Sequence, residues 1–280
     1  MYWFGDDLYN LYKPLTLEKS EIIAEVEFLA DVVGNFKYKD YILGKKIEES
    51  KKDLIKSYIK KRTETGKPIQ QIVGKAYFCG ELFEVNEYTL IPRPETELIT
   101  DCLKKYFSSD DSFNMLEIGI GTGCISIITA QNFKHAKITG VDICQNCVDI
   151  SKKNALLQGV EDNVNFILSD VFENVSGKYD VIVSNPPYIS YSDTSSVQDN
   201  VLRFEPHSAL FAPNDGYYFY EKIITESIKY VQNNSLIIFE IGINQSKKIQ
   251  QLLEINNYSD IKIIKDFNGI DRTISAIYNS

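Results

Sequence analysis

The octapeptide Val181-Ile182-Val183-Ser184-Asn185-Pro186-Pro187-Tyr188 joins a buried strand to a stiff turn. A short apolar run of β-branched residues predicts the strand. Neither proline carries a backbone N–H, and Pro186 drives Asn185 away from the helical region. The chain therefore leaves the strand extended, with the Asn185 amide at the carboxyl edge of a sheet, where open α/β sheets hold their ligands. A planar NH2 group suits such a turn. The Asn185 side-chain oxygen and the Pro186 carbonyl accept its two N–H bonds, and Tyr188 covers its flat face, which fixes the direction in which the nitrogen attacks. The plain alternative is a proline-rich loop ending a strand, with Asn185 capping the next turn.

Around this stretch, from about Ser112 onward, strand, glycine turn and helix alternate. Strands are expected at 114–118, 137–141, 164–168, 179–184 and 236–241, with shorter ones at 261–264 and 273–277. Helices are expected near 124–132, 145–157, 217–231 and 245–254. Such alternation implies an α/β fold with a doubly wound, mostly parallel sheet of seven strands.

The first of these strands delivers Glu117-Ile118-Gly119-Ile120-Gly121-Thr122-Gly123 into a helix. A dinucleotide fingerprint G-x-G-x-x-G needs glycine at 124 or 126, where Cys124 and Ser126 stand. A nicotinamide dehydrogenase therefore fails on spacing. Glu117 repels a pyrophosphate but suits a ligand bearing an amino group. Asp142, at the next strand end, is placed for a ribose diol. Asp170, in Ser169-Asp170-Val171-Phe172, is placed to accept from an exocyclic amine with apolar neighbours against the ring. An amino group, a ribose and an adenine together describe S-adenosylmethionine. Singly, Asp142 reads as a strand-end cap and Asp170 as an Asx turn, but three acidic strand ends in succession favour the ligand.

Ahead of this region, residues 1–70 read as helical. Ile22, Val26, Leu29 and Val33 form one apolar stripe ending at Gly34, a candidate C′ glycine, and a lysine-rich helix runs from about Ile47 to Lys61. Its lysines alternate with Glu48, Glu49 and Asp53, the pattern of a solvated face. Thr65-Gly66-Lys67-Pro68 breaks the helix, and residues 71–92 carry short β-like pieces that predict a linking hairpin. The last domain, 93–280, then opens at Arg93-Pro94-Glu95-Thr96-Glu97.

Composition narrows the partners. The 280 residues carry a formal charge of −9, which disfavours a broad electrostatic grip on nucleic acid. No apolar run approaches a membrane span, and the N-terminus lacks a signal peptide's basic start, so a cytoplasmic protein is expected. Five cysteines suit a reducing compartment. Cys144 and Cys147 form a C-x-x-C, but a zinc site would need a second pair of ligands, and the two histidines show no ligand spacing. No metal is expected, and the thiols read as buried or incidental.

Taken in order, Glu117-x-Gly119-x-Gly121-x-Gly123, Asp142, Asp170 and Asn185-Pro186-Pro187-Tyr188 resemble class I methyltransferases that act on amide or exocyclic nitrogen. Leu90-Ile91-Pro92-Arg93-Pro94-Glu95-Thr96-Glu97 upstream brings the resemblance closer. So do Phe204-Glu205-Pro206, Asp215-Gly216 and Phe239-Glu240-Ile241-Gly242 with Gln245 downstream. The set is similar to the peptide chain release factor glutamine N5-methyltransferases, from about residue 20 to the end.

That resemblance implies a Rossmann-like fold preceded by a small helical domain; docking of the substrate by that domain, and action as a monomer, are expected. It implies methyl transfer from S-adenosylmethionine, leaving S-adenosylhomocysteine, to the glutamine of the Gly-Gly-Gln tip of class 1 release factors. It assigns Gly119, Ile120, Gly121, Thr122, Gly123, Asp142 and Asn185 to the methyl donor, with Glu117, Asp170, Val171 and Phe172 beside it. It assigns Asn185, Pro186, Pro187 and Tyr188 to the glutamine. Asn185, Pro186 and Tyr188 are the catalytic candidates. Arg93 either shapes the substrate pocket or forms a buried pair with Glu95. Val171 departs from the bulkier residue of many relatives, and Phe172 is the alternative wall for the adenine. Glu117 stands where many relatives have Asp. Glutamine methylation of a ribosomal protein and N6-adenine methylation of nucleic acid use the same turn and are the competing readings.

Overall fold

The computed structural model describes Phe4 and residues 6–15 and 17–280. The chain forms two compact units, 1–74 and 75–280. The first break lies at residue 74 where the sequence predicts 70, and the hairpin belongs to the second unit rather than to a segment of its own.

The first unit is helical: α1 (Asp6–Asn10), α2 (Lys19–Val32), α3 (Tyr38–Ile42), α4 (Glu49–Thr65) and α5 (Ile69–Val73). The apolar stripe of α2 packs with Ile55 and Ile59 of α4. Beside it, Arg62 of α4 and Glu25 of α2 form a buried ion pair at 2.9 Å. Gly34 ends α2 for a reason other than the one expected. The left-handed residue is Asn35 (φ 49°), and a Cβ at Gly34 would lie 2.4 Å from the Ala30 carbonyl oxygen.

The second unit opens with the hairpin β1 (Lys75–Phe78) and β2 (Glu81–Glu84), followed by α6 (Glu97–Tyr106). Then come β3 (Asn114–Ile118), α7 (Cys124–Asn132), β4 (Lys137–Asp142), α8 (Gln145–Gln158), β5 (Val164–Leu168) and β6 (Tyr179–Ser184). After β6 the chain makes a short lobe from β7 (Ile189–Ser190), α9 (Asp199–Phe204) and β8 (Phe211–Ala212). It returns through α10 (Tyr218–Ser227), β9 (Val231–Glu240), α11 (Ser246–Ile255), β10 (Tyr258–Lys265) and β11 (Asp271–Tyr278).

The seven strands lie in the order β10-β11-β9-β6-β3-β4-β5. Strands β5, β4, β3, β6 and β9 run parallel, and β11 pairs antiparallel with both β9 and β10. This is the doubly wound sheet read from the alternation. Strand periodicity explains the layers. Val181 and Val183 of β6 pack on one face with α6 and α7, while Ile182 packs on the other with α10 and α11. Helix α10 stops at Ser227, short of the expected Val231, because Val231 joins the sheet opposite Tyr179. Strand order reverses between β3 and β6, and the carboxyl ends of these two strands open the crevice in which such folds bind ligands.

Candidate functional site

Strand β3 carries Met115 and Glu117 to the α7 side of the sheet, so period-2 geometry buries a carboxyl group. Glu117 is fully buried. Its Oε2 accepts the Ser126 backbone N–H at 2.9 Å and the Ser126 hydroxyl, while Oε1 has no partner among the described residues. Burial pushes this carboxyl up to about 8; the Ser126 donors oppose the shift and the Asp142 charge adds to it.

Beyond Glu117 the chain folds over the sheet edge. Gly119 and Ile120 donate their N–H groups to the Val141 carbonyl, at 2.8 and 3.2 Å. Gly123 then caps α7 with φ 77°, and a Cβ there would lie 2.9 Å from the Ser151 Cβ. Glycine is needed at that position for backbone conformation and for space alike. Asp142, at the end of β4, braces the loop. One oxygen accepts the Gly121 N–H at 3.0 Å and the other the Cys144 N–H at 2.9 Å. Burial raises its carboxyl, and these N–H donors pull it back down.

Glu117, Ile120, Gly121, Thr122, Asp142, Asp170, Val171, Asn185, Pro186, Pro187 and Arg93 all line one cavity of about 250 Å³. Residues separated by up to 94 positions in sequence thus meet at one sheet edge. Asp170 holds Lys222 of α10 at 3.0 Å. Val171 is a β-branched residue held at φ 51°, a strained conformation that puts its side chain on the cavity wall.

Three sequence expectations need correction. Phe172 is not on the cavity wall: its ring stacks on Tyr230 with centroids 4.6 Å apart, inside the second core layer. The left-handed turn at Val171 exchanges the two residues, so Val171 supplies the wall. Tyr188 likewise leaves the wall. Its ring packs against the α10 side of the core and its hydroxyl donates to Glu240 Oε1 at 3.4 Å, because a buried phenol needs an acceptor. Arg93 pairs with Glu205 at 2.5 Å, not with Glu95, while keeping its place on the wall.

Other contributors were not legible from spacing. Asn185 Nδ2 donates to Thr96 Oγ1 at 3.2 Å, and Thr96 donates to the buried Glu240 at 2.6 Å. Burial raises Glu240 to about 7, against the Thr96 hydroxyl and the Arg272 charge. Glu205 also accepts the Ile91 N–H at 3.0 Å, tying the segment before α6 to the lobe after β6. Gln245 accepts the Gly242 N–H and donates to the Tyr188 carbonyl, locking the far end of the Asn-Pro-Pro-Tyr bend. These residues sat in motifs noted for resemblance, but no periodicity marks a contact between segments so distant.

The cavity suits S-adenosylmethionine. The unpartnered Oε1 of Glu117 is matched by a cationic amine, and Asp142, although braced by two amides, keeps further lone pairs for a diol. Among the described residues no group of three or more His, Cys, Asp or Glu side chains is arranged to hold a metal ion. All five cysteines are free thiols, with Cys144 and Cys147 beside the Asp142 end of the cavity.

Residues 94–205 match the methyltransferase small domain. The release factor glutamine methyltransferase of Fusobacterium nucleatum is 37% identical over 238 residues, 84% of this chain and 67% of that protein. Those of Streptococcus pneumoniae and Bacteroides thetaiotaomicron are 32% and 33% identical. They cover 95% and 98% of this chain, and 96% and 97% of their own lengths. Among solved structures, the hMettl16 catalytic domain aligns with a TM-score of 0.57 at 14% identity, over 80% of this chain and 82% of that one. A methyltransferase from Pyrococcus furiosus aligns at 0.50 and 18% identity, over 65% of this chain and 83% of that one. At these identities the structural likeness speaks for the fold alone. Near-full-length identity above 30%, together with a methyl-donor cavity bounded by the Asn-Pro-Pro bend, identifies this chain as a member of the release factor glutamine methyltransferase family.

Proposed function

We propose that the chain methylates the side-chain amide nitrogen of the glutamine in the Gly-Gly-Gln tip of class 1 release factors, in the cytosol and as a single chain. The observation that carries this reading is the Asn185 amide at the cavity edge, with its NH2 end held by Thr96 and Pro186 and Pro187 beside it.

S-adenosylmethionine, when bound, supplies a methyl group already activated on a sulfonium. Glu117 would hold its amino group, Asp142 its ribose, and Val171 and Asp170 its base. The remaining difficulty lies in the acceptor, since an amide lone pair is delocalised into its carbonyl. Asn185 Oδ1 and the Pro186 carbonyl accept the two N–H bonds of the glutamine, which turns the nitrogen lone pair toward the methyl carbon. The donor held by Glu117, Asp142 and Asp170 would give up its methyl group to that nitrogen and would keep the C–S electron pair as a neutral thioether. The surplus proton on nitrogen passes to water, and no side chain is needed as an obligatory base. Arg93, anchored by Glu205, shapes the entrance for the substrate backbone.

Charge supports a protein substrate over a polyanion. Residues 1–74 carry 13 basic and 12 acidic side chains, so the whole negative balance falls in the unit bearing the cavity. The helical unit docks the release factor in this reading. A lower KM for an intact release factor than for a short Gly-Gly-Gln peptide is the expected sign, and equal values would remove the docking role. The overall test is incubation with labelled S-adenosylmethionine and three acceptors in parallel: a release factor, a ribosomal-protein mixture and an oligonucleotide. Label entering the release factor supports the proposal; label entering only one of the others overturns it.

A further inference from the structure

An asparagine side chain presents either an oxygen or an NH2 group to a cleft, and the two ends are almost the same shape. Only hydrogen bonding chooses between them. For the reaction proposed above the choice is decisive. Oδ1 toward the substrate accepts an N–H, whereas Nδ2 toward the substrate opposes donor to donor.

The structure contains a device that makes this choice. Glu240, at the end of β9, is buried, and in its ionised form, which prevails above about pH 7, its carboxylate only accepts hydrogen bonds. Its Oε2 takes the single hydroxyl proton of Thr96 at 2.6 Å, and its Oε1 takes that of Tyr188 at 3.4 Å. With its proton committed, Thr96 Oγ1 has only lone pairs left for Asn185, 3.2 Å away. It therefore accepts from Nδ2 and cannot donate to Oδ1. Polarity passes from carboxylate to hydroxyl to amide, across segments 144 and 89 residues apart in sequence.

We infer that Thr96 and Glu240 are positioning residues that hold the Asn185 amide with its oxygen toward the acceptor glutamine. The inference rests on the proposed role of Asn185 in gripping that glutamine. Thr96 is on the cavity wall and Glu240 is not; in this inference both act through Asn185. A purely structural role for Thr96, as the residue that opens α6, would not depend on what stands at 185.

The test is a double-mutant cycle on the full chain, assayed by single-turnover methylation of a release factor. Thr96→Val, which keeps shape and removes the hydroxyl, is expected to lower the rate about 10–100-fold, less than the roughly 10²–10³-fold of losing a preorganised polar contact outright, because Asn185 itself remains. Thr96→Ser restores it to within about threefold. Glu240→Gln, whose amide is able to donate to Thr96 and reverse the chain, lowers the rate about tenfold. In an Asn185→Ala background both Thr96→Val and Glu240→Gln change the rate by less than about twofold, the non-additivity of residues that act as one unit. An equal loss with and without Asn185, or a Thr96→Ser variant as impaired as Thr96→Val, overturns the inference.

A second readout needs no substrate. Exchange of the Asn185 side-chain NH2 protons with solvent, followed by NMR, is slow in the native chain and accelerated in Thr96→Val. Equal exchange in the two sinks the relay. Slow native exchange in a protein that leaves release factors unmethylated sinks the functional reading instead, so the two failures are told apart.

Discussion

Glu117 brings a buried, unpartnered carboxyl oxygen to the cavity, and replacing it with glutamine separates stability from binding. The native carboxyl is fully buried, has one unpartnered oxygen, and is pushed up from 4.5 to about 8 by desolvation. In the unfolded chain it ionises near its ordinary value of 4.5. Between these limits the folded state binds one proton more than the unfolded state. Native stability therefore falls as pH rises, and the contribution is complete below 4.5 and lost by about pH 8. Each pH unit in that window is worth about 1.4 kcal/mol. Glu117→Gln has no such loss, because its amide is neutral at every pH and its oxygen still accepts from Ser126. The stability of the variant relative to wild type should accordingly rise by about 2–3 kcal/mol between pH 6 and pH 8.5. Urea titrations of both proteins at the two pH values, without ligand, measure it. The same substitution should weaken S-adenosylhomocysteine about tenfold or more by calorimetry at pH 8.5, where the native carboxylate meets the ligand amine. A stability difference that does not change with pH would refute the reasoning about the buried charge.

Asp142→Asn replaces one of two accepting oxygens with a donor facing a backbone N–H. It should weaken S-adenosylhomocysteine about 10–100-fold by calorimetry, the scale of a lost charge-assisted hydrogen bond. Gly216→Ala would put a Cβ 2.1 Å from the Tyr188 carbonyl oxygen at φ 86°. It should cost about 2–5 kcal/mol by urea denaturation, from backbone strain and overpacking together. It should also lower turnover, because the far end of the Asn-Pro-Pro-Tyr bend has to move; a variant with wild-type stability would contradict the packing described. Phe172→Leu, which removes a ring stacked on Tyr230 inside the core, should reduce stability while leaving the Kd for S-adenosylhomocysteine within about twofold, since the lost packing lies off the cavity wall.

Much of the catalytic unit was legible because its central strands are buried on both faces and separated by glycine turns. β3 and β6 fall at the residues expected from the apolar runs, since a two-sided burial pattern leaves little freedom of register, and the half-exposed edge strand β5 falls at its expected residues as well. Gly119–Gly123 and Asp142 could be placed because strand ends in parallel sheets converge on one edge. What periodicity cannot convey is the direction of a side chain after a turn. Sequence neighbourhood alone puts Phe172 and Tyr188 in the cavity, because they adjoin residues that are in it. The left-handed turn at Val171 and the demand of the Tyr188 hydroxyl for Glu240 turned both rings into the core. Thr96, Glu205 and Glu240 were visible only as members of motifs. Their function comes from contacts between segments more than 85 residues apart, and local sequence carries no signal for such an approach.

The central claim is that a rigid diproline bend grips a carboxamide by its hydrogens through Asn185. Its most direct test compares wild-type and Asn185→Ala protein on an intact release factor, with the modified residue located by mass spectrometry. The account predicts a single methyl group on the glutamine of the Gly-Gly-Gln tip, and a folded Asn185→Ala variant slowed about 10²–10³-fold. A folded variant that methylates that glutamine at the wild-type rate would contradict it.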